Sequence, residues 1–165
     1  MRRLIATAML VVCASSPSWA STNVCGTIVN QTWTPAGSPY LVTCDIFVAS
    51  LTIQPGVSVV FLGDYIFEVG GKLTAIGTAS DSIRFTRPDS VSGWRGIFFN
   101  SSPPGSELAY CVIEQATSHG IEIDRSSPVI HDCAIRLNTN STSGAGIYTN
   151  TSFTLQHCTI SNNTV

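Results

Sequence analysis

Charge is what this sequence has least of. Asp, Glu, Lys and Arg together make up 11% of the chain, well under the usual quarter, and the acidic residues outnumber the basic ones 10 to 8. Nucleic acid, which needs clustered Lys and Arg, is excluded as a partner. Apolar spacing of the helical kind is missing throughout, which excludes a helical bundle. Past the first twenty residues, no apolar run approaches the roughly 20 residues needed to span a bilayer. Cys-x-x-Cys and Cys/His groupings at ligand spacing are absent too, so no metal or other cofactor is expected. In place of charge the chain carries Ser, Thr, Asn and Gly, a polar surface over a hydrophobic fraction of 44%. That fraction implies a packed core rather than disorder.

The chain opens with Arg2 and Arg3, continues through an uncharged apolar stretch from Leu4 to Cys13, and reaches Ser18-Trp19-Ala20. A basic start, a short apolar core and a small-x-small site are the parts of a secretory signal peptide over residues 1–20. Cleavage after Ala20 removes two cations and moves the formal charge from −2 to −4. The mature chain is expected to be secreted or displayed at the cell surface, with no membrane span. Cys13 could serve as a lipid-anchor cysteine, but Val12 precedes it where a small residue is usual.

Self-comparison gives the fold. Leu108-Ala-Tyr-Cys111-Val-Ile113, Ile130-His-Asp-Cys133-Ala-Ile135 and Leu155-Gln-His-Cys158-Thr-Ile160 share the pattern aliphatic-x-x-Cys-x-Ile. Ahead of each stands a second motif: Gly96-Ile-Phe-Phe-Asn100, Gly120-Ile-Glu-Ile-Asp124 and Gly146-Ile-Tyr-Thr-Asn150. Both sets return in the same order and at nearly one interval. Each motif alternates apolar and polar residues as a half-buried strand does, and Gly, Ser, Pro and Asn fill the connections. A β-sandwich gives no reason for one residue type to return once per turn. Stacked parallel coils do, because each residue then lies about 4.8 Å above its counterpart and like side chains form ladders.

The same logic extends upstream through Leu51-Thr-Ile-Gln-Pro-Gly-Val57, Gly71-Lys-Leu-Thr-Ala-Ile-Gly77, Ser82-Ile-Arg-Phe-Thr86 and Gly93-Trp-Arg-Gly-Ile97. On these segments the chain resembles the opening coils of secreted bacterial right-handed parallel β-helix repeat proteins, of the pectin-lyase-like fold. The resemblance implies an all-β solenoid over residues 51–165, of about five coils at about 23 residues each. Residues 21–50 do not fit the repeat and are expected to cap the first coil, whose strand edges would otherwise stay open. A matching cap at the other end is not found, so the chain reads as an N-terminal fragment. The fold itself is shared by lyases, glycosidases, adhesins and passive spacers, and carries no activity on its own.

Two groups of cysteines call for different readings. Cys25 and Cys44 flank the expected cap and are disulfide candidates in an oxidising compartment, with free thiols the alternative. Cys111, Cys133 and Cys158 occupy one ladder position, where in-register side chains point the same way, a poor geometry for bridging. They are expected to be buried free thiols acting as small hydrophobes.

Alternation places Phe98, Glu122 and Tyr148 outward, with Asn100, Asp124 and Asn150 one step beyond. Rings beside carboxylates and amides suit a carbohydrate-binding face, since rings pack on sugar C–H surfaces and the polar groups take hydroxyls. An ordinary solvated strand face ending in turn-forming Asn or Asp explains the same residues. Glu122 and Asp124 could form an acid pair, but a second acidic cluster on that face is not evident, and no catalytic residue is assigned. Asp124 and the adjacent Arg125 are not expected to share a face. Glu114 and Arg136 are expected to face outward as a weak cross-strand pair. Trp94 is expected to pack a turn. The reading is thus a non-catalytic exported module with a structural, adhesive or polysaccharide-contacting role, its partner a polysaccharide or cell-envelope component. The alternative is the N-terminal piece of a β-helix polysaccharide lyase or glycosidase whose catalytic coils lie beyond residue 165.

Overall fold

The computed structural model describes residues 21–165. The signal segment, its cleavage point and Cys13 lie outside the described residues. From Thr22 the chain winds as a three-faced solenoid in which every strand pairing is parallel. One interior column of the first face runs Tyr40, Val59, Phe85, Ile113, Ile135, Ile160. The second runs Ile28, Val48, Val69, Phe99, Ile123, Thr149. On the third stand Trp33, Ile53, Ala75, Leu108, Ile130 and Leu155. Six rungs on each face give about six turns of an all-β parallel β-helix, whose only helical piece among the described residues is a short 3-10 turn at Pro35–Gly37.

The extra turn comes from the segment expected to be a cap. Thr22–Ile28 and Gln31–Trp33 are strands that pair in parallel with the long strand Tyr40–Ile53, so residues 22–53 already wind the tube. Their irregularity lies in the connections. On the second face the outward positions are Thr27, Phe47, Glu68, Phe98, Glu122 and Tyr148. The interval from Glu68 to Phe98 is half as long again as that from Thr27 to Phe47. No single period covers turns of such different length, although the rungs they produce stack alike.

The interior changes character along the axis. In the early turns it is built of rings: Trp33 stacks on Tyr40 at 4.6 Å between centroids, Phe61 on Trp94 at 4.1 Å, and Phe67 meets Phe61, Phe85 and Trp33 edge-on. Trp94 is fully buried, as its turn-packing role requires, and donates Nε1–H to the Glu114 carbonyl at 3.0 Å. In the later turns aliphatic side chains and the Cys111 and Cys133 thiols fill the tube.

Two devices hold the later turns in register. Single non-glycine residues in the left-handed region make the corners: Tyr110, Asp132 and His157 between third and first faces, Gln115, Leu137 and Asn162 after the first, Ser101 and Arg125 after the second. Each such residue costs about 1–2 kcal/mol and persists because stacking fixes the hydrogen bonds on both sides. Inside the corner after the first face lies a column of amides. Asn138, wholly buried, accepts from the Ala116 N–H at 2.9 Å and donates to the Ile113 carbonyl and to Asn163 Oδ1; Asn163 repeats the pattern on the Ile135 carbonyl. These bonds satisfy backbone groups that a sharp corner strips of strand partners.

Candidate functional site

The outward residues of the second face form one in-register column. Phe47 lies beside Glu68, Glu68 beside Phe98, Phe98 beside Glu122 and Glu122 beside Tyr148. Thus rings alternate with carboxylates over five rungs, about 19 Å of the stack. Phe98, Glu122 and Tyr148 stand where alternation along the strands puts them. Phe47 and Glu68 were not read from the sequence. Phe47 sits between Ile46 and Val48, a legible in-out-in pattern, but nothing in the sequence tells which later strand it will meet.

A second column begins two residues along each strand. Asn100 pairs with Asp124 in the backbone register. Asn100 Nδ2 reaches Glu68 Oε1 at 2.8 Å, and Asn150 Nδ2 reaches Asp124 Oδ1 at 2.7 Å. Asp124 also takes Nε and Nη2 of Arg125, at 3.0 and 2.9 Å. The Asn150 amide first, and Arg125 after it, hold the Asp124 carboxyl below the usual carboxylate range. The expectation that Asp124 and Arg125 would not share a face is corrected here. Arg125 occupies a left-handed corner, φ +47°, from which its guanidinium folds back over its neighbour.

Two further readings of the sequence change, at Glu68 and at Glu114. Glu68 adds one acidic side chain to the second face beyond the Glu122 and Asp124 pair, carried there by the long turn that separates it from Phe98. Tyr148, expected to face outward, is 40% exposed, and its ring stacks on His119 at 4.9 Å. Glu114, expected at the surface, is only 5% exposed, and it accepts from Arg136 at 3.0 Å and from Arg84 at 2.7 Å. With two guanidinium partners across adjacent turns it is a cross-turn staple, because a carboxylate taken out of water must keep its charge compensated.

The second face is not flat. Above Phe47 and Glu68 the strand pairing slips: Val48 opposes Val69 and Ser50 opposes Lys72, so Ala49 faces two glycines, Gly70 and Gly71. The bulge opens a groove of about 250 Å³ lined by Thr27, Phe47, Val48, Ala49, Glu68, Gly70 and Gly71. At Gly71 a Cβ would lie 1.9 Å from the Ala49 carbonyl oxygen, so the backbones can approach only around a glycine. At Gly70 a Cβ would meet nothing within 4 Å.

The cysteines divide as their positions suggested. Cys25 and Cys44 are bonded to each other across the first turns. Cys111, Cys133 and Cys158 are free, the first two buried and the third half-buried. Burial pushes the Cys111 thiol up, and Cys158 moves the same way for the same reason. These sulfurs donate weakly to carbonyls, Cys133 to His131 at 3.1 Å and Cys111 to Ala75 at 3.4 Å.

One histidine cluster lies apart from the second face. His131 is flanked by Asp132 at 2.8 Å and Glu107 at 3.0 Å, and this pair of carboxylates, Asp132 first, raises its pKa. Among the described residues no group of three or more His, Cys, Asp or Glu could hold a metal ion.

Residues 70–165 match the model of a protein family described as right handed beta helix region. No curated protein and no solved structure matches the chain.

Proposed function

Because the chain belongs to the right handed beta helix region family, we propose that it is an exported, non-catalytic solenoid module whose second face contacts polysaccharide at or beyond the cell surface. The observation that carries this reading is the five-rung column Phe47, Glu68, Phe98, Glu122, Tyr148, in which each ring is bordered by a carboxylate. Sugar C–H surfaces pack on rings and sugar hydroxyls donate to carboxylates, and both recur here at a spacing set by the stack. Export is supported by the signal-like residues 1–20 and by the Cys25–Cys44 bond, since such bonds persist mainly in oxidising compartments.

Titrating the mature protein against a polysaccharide panel tests the proposal. Wild type should bind at least one member, and a Phe98→Ala/Tyr148→Ala variant should bind it at least tenfold more weakly. A wild type that binds none, or a variant that binds equally well, sinks it. N-terminal sequencing of the exported chain should begin at Ser21.

One observation favours a catalytic reading. Glu68 and Glu122 stand two rungs apart, about 9.6 Å along the stack, near the separation of the carboxyl pair in an inverting glycosidase. Against it, Glu68 is already engaged by Asn100, which leaves Glu122 as the one carboxylate of the column without a hydrogen-bond partner among the described residues. Release of new reducing ends from the panel, abolished by Glu122→Gln, would establish the catalytic reading in place of the binding one.

A further inference from the structure

We infer that the groove beside Phe47 is the anchoring subsite of this face, and that it takes an uncharged sugar ring in preference to a uronate. The inference rests on the polysaccharide reading and adds a place and a substrate class to it. Three features of the groove carry it.

The first is its shape. The slipped pairing at Ala49 sets Gly70 and Gly71 into the lining of a groove of about 250 Å³. That is below the roughly 300 Å³ at which clefts for drug-sized ligands begin, so the space suits one ring. Bulges and strand glycines often mark places where another molecule approaches the backbone. Gly71 is explained by the backbone contact it permits, whereas Gly70 is not, because a Cβ there would stand in open space. The openness over Gly70 is the groove itself.

The second is its chemistry. Phe47 is 46% exposed, a large apolar ring presented at the mouth, and Glu68 supplies a carboxylate beside it. Thr27 adds a hydroxyl at the far wall. A platform with an acceptor at its edge fits the two surfaces of a pyranose. The groove is also continuous with the rest of the column, since Glu68 neighbours Phe98 on the next rung.

The third is charge. Glu68, Glu122 and Asp124 line the face, and the cations at its borders are already engaged: Arg125 with Asp124, and Arg95 with Asp45 at 3.1 Å. Lys72, past Gly71, lies toward Gly105 and does not line the groove. A uronate carboxylate placed here meets the Glu68 carboxylate in a lining that holds no cation, with Lys72 standing just outside it, so the local balance is a repulsion that salt screens over about 10 Å at 0.1 M. Selection against polyuronates is the outcome this balance predicts.

The test uses the whole mature protein with soluble β-glucan, xylan and polygalacturonate, measured by calorimetry at low and high salt. Wild type is expected to bind a neutral glycan at least tenfold more tightly than polygalacturonate, with the gap narrowing as salt rises. Gly70→Leu fills the groove from an unobstructed position and should weaken neutral-glycan binding at least tenfold at an unchanged melting temperature. Phe47→Ala, a change on the outside of the tube, should do the same. Glu68→Gln should narrow the gap to polygalacturonate.

If Gly70→Leu and Phe47→Ala bind like wild type while Phe98→Ala/Tyr148→Ala does not, the groove is overturned and the face survives. Tighter binding of polygalacturonate overturns the preference for an uncharged ring. Absence of binding to every glycan overturns the groove together with the reading it rests on.

Discussion

In the turns up to Phe85 aromatic rings stack among the aliphatic side chains of the tube, while from Cys111 onward it is filled chiefly by isoleucine and thiol. The early turns differ widely in length on the second face, from the short one between Thr27 and Phe47 to the long one between Glu68 and Phe98, and like residues recur only in short patches such as Leu51 over Leu73 and Thr52 over Thr74. Their rungs are held by large interlocking rings and by the Cys25–Cys44 bond. The later turns, from Phe98 to Glu122 and on to Tyr148, are nearly equal and return Gly, Cys, Ile and Asn to matching places. There, polar ladders at the corners carry the register. The lesson is that one stacking geometry tolerates two interiors: irregular connections go with large, individually fitted side chains, and regular connections allow small repeated ones. The groove lies in the irregular half, since a bulge can be accommodated where successive turns need not match.

The contrast can be broken most sharply at Phe67, fully buried and in contact with three other rings. Phe67→Ala is expected to cost about 4 kcal/mol in denaturant unfolding, against about 3 kcal/mol for Ile135→Ala in the ladder half. Equal losses would show that the two interiors carry stability alike.

A smaller effect is expected at Asn138. Replacing it with Ala leaves the Ala116 N–H and the Ile113 carbonyl without their present partner, at a cost of about 2 kcal/mol. Hydrogen exchange should quicken in the later turns and stay unchanged around Trp33 and Phe61. Uniform loss of protection would mean that the halves unfold together.

The smallest effect is pH-dependent. His131, 27% exposed, has its pKa raised by Asp132 and Glu107, so the folded state binds its proton more tightly than the unfolded chain does. The resulting stability is complete below the ordinary histidine value of about 6.5 and is lost as pH rises through the raised folded value. Screening at this exposure keeps it below about 1 kcal/mol. Melting curves between pH 5.5 and 8 should therefore show a decline in wild type that His131→Gln lacks.

Legibility followed the same division. Ladders at Cys111, Cys133 and Cys158, and at Ile113, Ile135 and Ile160, were readable because a residue type recurs at one offset. The Asn138–Asn163 column was readable in principle: each lies three residues after its ladder isoleucine, but Ala116 at the matching place in the preceding turn hides the pattern. Phe47 and Glu68 could not be assigned to the column, since early turns of such unequal length leave the register open. Residues 21–50 were set apart as a cap for that reason.

The sequence by itself determined the strand alternation, the parallel stacking of the later turns and the outward placement of Phe98, Glu122 and Tyr148, because those depend on local period and on like residues stacking on like. Tertiary structure alone decided which strand of each long turn lies over which. It thereby brought Glu68 beside Phe98, added Arg84 to the Glu114–Arg136 pair and buried its carboxylate, and opened the groove at Gly70. Each of these depends on the length and path of a connection, and a connection has no periodicity from which its path could be read.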